Sequence, residues 1–376
     1  MRVGLLTYHF SDNYGALMQA FGLREWLRRR GVEAVFINYH PTHVESGGKI
    51  ALGRGLKANI KTLYLAASHA RRRFLGDKRL WQAFEDFRGK ELGVQGRRML
   101  TRSELGELPK FDLLVCGSDQ IWNPSDHYGL DEVYFLDFPG AERARRISYA
   151  ASFGRAHLAT EYGARAAELI RNLDAISVRE RSGADIVARL VGRDAECVPD
   201  PTILLGDFSE LLERNPVAEK GHVLCYALRT AEGVRQAAQL VALENGGEIL
   251  SPENPHRRWR EVGKTVYPSP GEWLSLIANA SAIVTNSFHG VALSLVLKRP
   301  FVAIALPGAR AAFSERVRNL LTDVGLEDRL VPAEQPQEAL SKLQEAIDWH
   351  DVDGRLAQLR TAGERFLEAQ LARVAE

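Results

Sequence analysis

Short apolar runs alternate with stretches of helical periodicity along the first half of the chain. Val3–Tyr8 is an uncharged, mostly apolar run that predicts a buried strand, and the apolar spacing in Ala16–Arg30 predicts a helix after it. Strands and helices that alternate in this way are typical of a mainly parallel, doubly wound sheet. The other strands predicted here are Ala34–Asn38, Leu113–Cys116, Arg146–Ala151, Ala175–Val178 and Cys197–Val198, with helices at Glu161–Asn172 and Arg181–Leu190.

A second series of the same kind begins after Pro201. Two successive α/β sheets predict a cleft between two domains, and ligands in such folds bind at the carboxyl ends of the strands. We place the domains at residues 1–205 and 206–349, followed by a charged C-terminal helix at 350–376. The predicted strands are His222–Ala227, Glu248–Leu250, Ala282–Thr285 and Pro300–Ala305, with helices at Ala231–Glu244, Gly271–Ala280, Gly290–Leu297 and Ala312–Val324.

Composition narrows the class of protein. The 376 residues are 45% hydrophobic and 26% charged, which excludes global disorder, and the net charge of +1 gives no whole-chain field for nucleic acid or membrane. The longest apolar stretch, Val291–Leu297, is far shorter than a membrane span, and we expect a cytoplasmic protein without a targeting signal. The three cysteines show neither zinc spacing nor a disulfide framework: Cys116, Cys197 and Cys225.

One segment is strongly basic. Residues 49–102 contain fourteen Lys or Arg and four Asp or Glu, and part of the segment has the spacing of an amphipathic helix before Arg71, Arg72 and Arg73. It has two interpretations. The segment is either a solvated helical face or a docking surface for an anionic acceptor or the inner face of the membrane.

The sequence lacks the familiar nucleotide and metal motifs. We find no GxGxxG after a strand, no GxxxxGK[ST], no HExxH and no CxxC, which argues against a standard nicotinamide, flavin or P-loop enzyme. Four polar loops remain, each directly after a predicted strand. In the first, His9–Ala16, Gly15 permits a close backbone approach and the helix N-terminus can face an anion, so Asn13, Tyr14 and Gly15 are candidate contacts. The alternative is that an Asp or Asn only caps the helix.

The second and third loops add candidate polar contacts. Ser177–Ser182 places Arg179 at a strand end, where its guanidinium can bind phosphate or carboxylate, although an Arg179–Glu180 structural pair is the alternative. Asp200 lies where the chain passes between domains, as a turn residue or a cleft carboxylate. The second loop, Gly117–Asn123, offers Ser118, Asp119, Gln120, Trp122 and Asn123.

The fourth loop, Thr285–Gly290, is the most informative. It follows an apolar strand and precedes an apolar helix, so His289 is predicted to face the cleft, where an imidazole can move protons. The alternative is a capping or core histidine.

These loops, in this order, resemble the polysaccharide pyruvyltransferase family. The resemblance implies two Rossmann-like domains in the glycosyltransferase-B arrangement, with phosphoenolpyruvate bound in the cleft and its pyruvate transferred to a sugar as a ketal. It extends from Met1 to about residue 332. The motifs that carry it are Asn13–Ala16, Phe111–Asn123, Ser148–Gly154, Val178–Glu180, Val198–Pro201, Ser287–Gly290, Asn319–Leu321 and Gly325–Arg329.

The resemblance and the chemistry of ketal formation together suggest roles. Adding a proton to C3 of phosphoenolpyruvate needs a positioned acid, for which we choose His289, with Asp119 or Asp200 as base toward the acceptor. In the family the second-domain motif often reads Arg-x-His, and Ser287 stands at the arginine position here. The predicted donor contacts are Arg179, Asn286, Ser287, Arg316 and Arg318. The predicted acceptor contacts are Asn13, Tyr14, Gly15, Ser118, Gln120, Trp122 and Asn123.

The predicted partners follow from this resemblance. We expect phosphoenolpyruvate as co-substrate with no metal or other cofactor, no nucleic acid, and a place in cell-surface polysaccharide or glycoconjugate synthesis. The expected acceptor is a sugar or glycan, either free or linked to a lipid or nucleotide. Two alternatives stay open: a sugar-nucleotide glycosyltransferase of the same architecture, and a non-catalytic carbohydrate-binding member. Ser287 in place of arginine favours the second alternative.

Overall fold

The computed structural model describes residues 1–41, 78–125, 128–228, 232–253, 262–306 and 314–375. The strands are β1 (Arg2–Leu6), β2 (Glu33–Phe36), β3 (Leu113–Cys116), β4 (Arg145–Ser148), β5 (Ser177–Val178), β6 (Glu196–Cys197), β7 (Val223–Tyr226), β8 (Ile249–Pro252), β9 (Lys264–Val266), β10 (Ala282–Thr285), β11 (Phe301–Ala305) and β12 (Leu330–Pro332). The α-helices of the described residues are α1 (Tyr14–Arg28), α2 (Lys78–Lys90), α3 (Thr160–Arg171), α4 (Arg181–Val191), α5 (Pro201–Leu205), α6 (Ser209–Arg214), α7 (Glu232–Asn245), α8 (Pro270–Asn279), α9 (Phe288–Val296), α10 (Glu315–Val324), α11 (Glu338–Gln344) and α12 (Trp349–Ala375).

The first sheet is parallel throughout, in the order β2-β1-β3-β4. Val3 of β1 pairs with Leu113 of β3, and Leu113 with Arg145 of β4. The short pair β5-β6 continues this sheet, since bridges join Ile147 to Ala175 and Ala151 to Val178. The carboxyl ends of β3, β4 and β5 therefore lie side by side, which is where a doubly wound fold binds its ligands.

The second sheet has the order β12-β11-β10-β7-β8-β9 and is also parallel. Its first strand in sequence lies in the middle, with later strands added outward on both sides, as in a Rossmann fold. The two sheets confirm the α/β fold with two Rossmann-like, doubly wound domains that face a cleft.

Helices α5 and α12 connect the two halves. Gly22 of α1 lies so close to α5 that an added Cβ would be 2.5 Å from the Pro201 carbonyl oxygen. α12 contacts the second half through a Lys298–Asp353 ion pair and the first through Arg145, whose Nη2 donates to Gln370 Oε1 at 2.7 Å. Because α5 contacts α1 of the first half and α9 of the second, and α12 also contacts both halves, the boundaries at residues 205 and 349 stay predictions.

The basic segment is described only from residue 78. The predicted amphipathic helix before residues 71–73 lies outside the described residues. In the described part, α2 buries Leu80, Phe84 and Phe87, and Arg88 is buried with its Nε donating to the His9 carbonyl oxygen at 2.9 Å. At least one of these cations is therefore structural. No helix within the described ranges is both long and apolar enough to span a membrane.

Candidate functional site

Unusual backbone conformations mark the carboxyl ends of β3 and β4. The Gly117–Ser118 peptide bond is cis, and Asp119 and Ala150 have positive φ angles of 75° and 49°. Positive φ is uncommon for residues other than glycine, and such positions often occur at functional sites. The two positive φ angles, at Asp119 and Ala150, lie at the same edge of the first sheet. Asp119, Arg179 and Asp200 meet at this edge.

Asp200 accepts four hydrogen bonds and also lies close to His289. Its side chain is fully buried, and Oδ1 accepts hydrogen bonds from the Thr202 amide at 3.0 Å and from Thr202 Oγ1 at 2.8 Å. Oδ2 accepts from Arg179 Nη1 at 2.7 Å and from Ser118 Oγ at 3.1 Å. His289 Nε2 lies 3.5 Å from the same oxygen. Asp200 thus links the first sheet to a histidine of the second.

Asp200 is held in its ionised form. Burial alone would raise its pKa, but the His289 imidazole, followed by the Arg179 guanidinium and the Thr202 amide, holds the pKa well below its usual range. Each oxygen of Asp200 already accepts two hydrogen bonds from the protein, which argues against its predicted role as a base toward the acceptor. Its contacts suit a residue that positions Arg179 and His289.

Arg179 is buried between carboxylates. Only 3% of its side chain is exposed, and its Nε donates to Glu180 Oε1 at 3.1 Å while Nη1 binds Asp200. The guanidinium carbon lies 4.4 Å from the centre of the Phe288 ring. Nη2 has no hydrogen-bond partner and lies 3.8 Å from Asp119 Oδ1. The structural pair with Glu180 therefore exists, yet one N–H group of the fork remains available to a ligand.

His289 sits in the first turn of α9, directly after the strand end of β10. Ser287 caps this helix, with its Oγ accepting from the Gly290 amide at 3.3 Å. The imidazole packs against Gly15 at the start of α1, where an added Cβ would be 2.2 Å from His289 Nδ1. Nε2 is buried without a hydrogen-bond partner. The imidazole of His289, which belongs to the second half of the chain, is thus packed against α1 of the first half.

Arg316 of α10 reaches the same place. The side-chain amide of Gln120 is oriented so that its oxygen faces Arg316. In this orientation the oxygen accepts hydrogen bonds from Arg316 Nη2 at 2.6 Å and from Nη1 at 3.1 Å. No described carboxylate lies within ion-pair distance, and burial, followed by the nearby Arg179, lowers the pKa of Arg316. Arg318, two residues further along α10, is exposed on another face, so its prediction as a donor contact is corrected.

We call Asp119, Arg179, Asp200, His289 and Arg316 the cleft cluster. Beside it lies a cavity of about 320 Å³. Of the predicted acceptor contacts, Asn13, Gln120 and Asn123 line this cavity, together with Asp119. Asn13 also caps α1, its Oδ1 accepting from the Ala16 amide at 3.1 Å, so the capping alternative holds as well.

Other predicted contacts have structural roles. Trp122 is fully buried and stacks on Phe135, and Tyr14 is buried against Trp273 with its hydroxyl donating to the Pro268 carbonyl oxygen at 2.9 Å. Their prediction as acceptor contacts is corrected, since neither ring faces open space. The remaining side chains are also engaged by the protein: Ser118 by Asp200 and Ala150, Ser287 by the cap of α9, and Asn286 by the Leu228 amide.

Sequence reasoning missed several supporting residues. Phe288 lies under both arginines of the cleft cluster, and Glu180 accepts from Arg179 and Ser152. Both residues belong to motifs that carry the family resemblance, Ser287–Gly290 and Val178–Glu180, so their positions in the sequence could have indicated a role at the site. Arg88 fixes the first polar loop through the carbonyl oxygens of His9 and Phe10, and nothing in its sequence context indicates this contact.

His9 of the first polar loop is completely buried next to His40, with ring centres 5.9 Å apart. Burial, followed by His40, lowers the pKa of His9 to about 3. Because the unfolded chain takes up this proton at about pH 6.5, the contribution of neutral His9 to stability is complete above that pH. It is lost as the pH falls toward 3.

We therefore expect the parent to lose about 2 kcal/mol more of its unfolding free energy than a His9→Phe variant between about pH 7 and about pH 5. Urea titrations of both proteins at the two pH values measure this difference. Equal losses would show that His9 does not carry this pH dependence.

Two parallel α/β domains meeting at a charged cleft define a protein of the glycosyltransferase-B architecture. A sequence model of the family "Polysaccharide pyruvyl transferase" matches residues 13–306. The chain belongs to the polysaccharide pyruvyl transferase family, and this membership supports a transferase. None of the curated proteins matches it at a significant level.

Solved structures show similarity in fold. UDP-GlcNAc 2-epimerase from Neisseria meningitidis is 9% identical with a TM-score of 0.50, over 99% of this chain and 100% of that one. A UDP-N-acetylglucosamine 2-epimerase, described as putative, from Listeria monocytogenes is 11% identical with a TM-score of 0.50, over 99% and 96%. A spinosyn rhamnosyltransferase is 12% identical with a TM-score of 0.45, over 98% and 100%. At these identities the similarity concerns the fold alone.

Proposed function

We propose that the protein transfers pyruvate from phosphoenolpyruvate to two hydroxyls of a sugar acceptor, forming a ketal. Family membership supports the reaction class. The observation that carries the assignment to this site is a pair of buried nitrogens that make no hydrogen bond within the described residues. Arg179 Nη2 lies 3.8 Å from Asp119 Oδ1, and His289 Nε2 lies 3.5 Å from Asp200 Oδ2. A buried polar atom without a hydrogen bond needs an explanation, and at the carboxyl ends of parallel strands a bound ligand supplies one.

The donor carries phosphate and carboxylate charges that need cations. Arg179 shares its charge with Asp200 and Glu180. Within the described ranges Arg316 contacts the neutral side-chain amide of Gln120 and the Phe288 ring, and it has no carboxylate at ion-pair distance. A guanidinium without a carboxylate partner gains most from a bound anion, because its charge is otherwise uncompensated. Arg316 is thus the main donor contact in this proposal, with Nη2 of Arg179 as the second.

The reaction balances with groups of the cleft cluster. His289 donates a proton to C3 of phosphoenolpyruvate, and the first acceptor hydroxyl adds to C2 while its proton passes to Asp119. The C2–O bond to phosphate then breaks, and the second hydroxyl closes the ketal, its proton leaving with the phosphate. Asp119 releases its proton to solvent and His289 takes one up from solvent, which restores both groups for the next turnover. Asp200, 3.5 Å from His289 Nε2, holds the imidazole in place throughout.

Thermal unfolding tests the donor assignment. At a concentration of about 100 times Kd, phosphoenolpyruvate should stabilise the protein by about 2.7 kcal/mol, since binding to the folded state shifts the unfolding equilibrium. An Arg316→Lys variant keeps the charge but loses the two-pronged guanidinium, so it should lose most of this stabilisation. Arg318→Lys, on an exposed face of the same helix, is the matched control and should behave as the parent.

Other outcomes would contradict the proposal. Stabilisation by a UDP-sugar with none by phosphoenolpyruvate would favour a sugar-nucleotide glycosyltransferase. Stabilisation by glycans alone would favour a binding protein. An equal response of the Arg316 and Arg318 variants would remove Arg316 from the donor site.

A further inference from the structure

The cavity beside the cleft cluster has an unusual charge pattern. Its described lining consists mainly of neutral groups that can form hydrogen bonds, and Asp119 is the charged residue among them. The neutral polar side chains are those of Tyr8, Ser11, Asn13, Gln120, Asn123 and Ser125. Neutral donors and acceptors of this kind suit hydroxyl groups.

The size of the cavity limits its occupant. Its volume of about 320 Å³ lies at the lower end of the range of about 300–1,000 Å³ that is typical of small-molecule pockets. One sugar residue is a better match than a longer glycan, whose remainder would extend into solvent. No Lys or Arg is among the described lining residues. Arg155, behind the lining, already donates to Asn123 Oδ1 at 2.9 Å and to the Pro124 carbonyl oxygen at 3.2 Å.

Asp119 joins the cavity to the cleft cluster. Its Oδ1 accepts a hydrogen bond from the backbone N–H of Gln120 at 2.8 Å and lies 3.8 Å from Arg179 Nη2. The carboxylate is therefore at the boundary between the proposed anion site and the neutral pocket. A second carboxylate placed in the pocket would meet a like charge at short range, which costs several kcal/mol at a recognition site.

We propose that this cavity binds one uncharged sugar residue of the acceptor, and that Asp119 excludes uronic acids from it. This inference rests on the proposed function only in treating the bound sugar as the acceptor of the reaction. The evidence for a sugar site is the lining of the cavity, so binding measurements alone can test it.

Ligand-observed NMR can test the proposal with pairs of methyl glycosides. The probes are the methyl glycosides of glucose, galactose and mannose, each paired with the corresponding uronic acid, with and without phosphoenolpyruvate. At least one neutral glycoside should bind the parent at least about tenfold more tightly than its acidic partner. In an Asp119→Asn variant this ratio should fall to about twofold, since the repulsion is gone. Asparagine tolerates the positive φ at this position.

Asp351→Asn is the matched control, because Asp351 is an exposed carboxylate on α12 that pairs with Arg355. It removes the same charge elsewhere and should leave the ratio unchanged. The inference is overturned if no neutral glycoside binds, if the acidic partner binds equally well, or if Asp119→Asn leaves the ratio as in the parent. Glycoside binding without any stabilisation by phosphoenolpyruvate would contradict the proposed function and leave this inference standing.

Discussion

A His289→Ala variant is expected to keep its fold and lose about 10²- to 10⁴-fold in kcat, the usual contribution of a general acid. The ring touches Gly15 and faces Asp200, while the charge of Asp200 is still compensated by Arg179 and by the Thr202 amide. Removing the imidazole therefore removes the proton donor without leaving a bare buried charge. Phosphate released from phosphoenolpyruvate in the presence of acceptor measures the loss, and thermal unfolding checks the fold.

His222→Gln provides the control for this prediction. His222 is also a buried histidine of the second half, and its Nε2 lies 3.0 Å from the Leu276 carbonyl oxygen rather than at the cleft cluster. Replacing it is expected to affect stability but not kcat. If His289→Ala turned over within a few-fold of the parent at every pH, His289 would be a packing residue.

Strongly apolar strands could be predicted from the sequence. β3 and β10 have the residue bounds that their patterns gave, because four consecutive buried residues in each leave little choice of conformation. The edge strands β9 and β12 could not be found. Each has three residues, and β9 is partly exposed with Lys264 at its start, so their pairing depends on the neighbouring strand.

The site was predictable at the level of loops and less so at the level of side chains. Residues after parallel strands converge on one edge of a sheet, which is why the order of strands and loops is enough to group Arg179 with Asp119 in the first half. His289 follows a strand of the second sheet, and its grouping with them depends on the predicted cleft between the two domains. The direction of each side chain depends on tertiary packing. Trp122 turns into the core although it stands in the same loop as Asp119.

The two arginines of α10 illustrate the same limit. Arg316 and Arg318 are two residues apart, so they must lie on different faces of a helix, and only one can reach the cleft. The apolar spacing of α10 indicates which face packs inward, since Val317, Leu320, Leu321 and Val324 are buried. Arg316 and Arg318 stand on either side of Val317, so this pattern does not say which of them reaches the cleft. The contact of Arg316 with Gln120 decides the question.

The second large effect is expected at Gly15, where Ala should lower kcat by about 10²-fold although it adds only one methyl group. Its Cβ would be 2.2 Å from Nδ1 and 2.5 Å from Cγ of His289, far inside contact distance. Either the imidazole moves away from Asp200 or α1 moves away from α9, and Tyr14, packed on Trp273, opposes the second. A displacement of about 1 Å at a catalytic group is enough for such a loss.

Gly89→Ala is the control for Gly15→Ala, because both glycines belong to helices but nothing lies within 4 Å of a Cβ added at Gly89. Alanine is favoured over glycine in a helix by about 0.5–1 kcal/mol, so this variant should be as stable as the parent or more so, with unchanged kcat. Gly15→Ala has the same helical preference, and any loss of activity there must come from the contact with His289. The same substitution can be made in a His289→Ala background, where no imidazole is left to displace. If Gly15→Ala lowered kcat there by as large a factor as it does in the parent, the two residues would act independently. Displacement of the imidazole would then not be the cause of the loss.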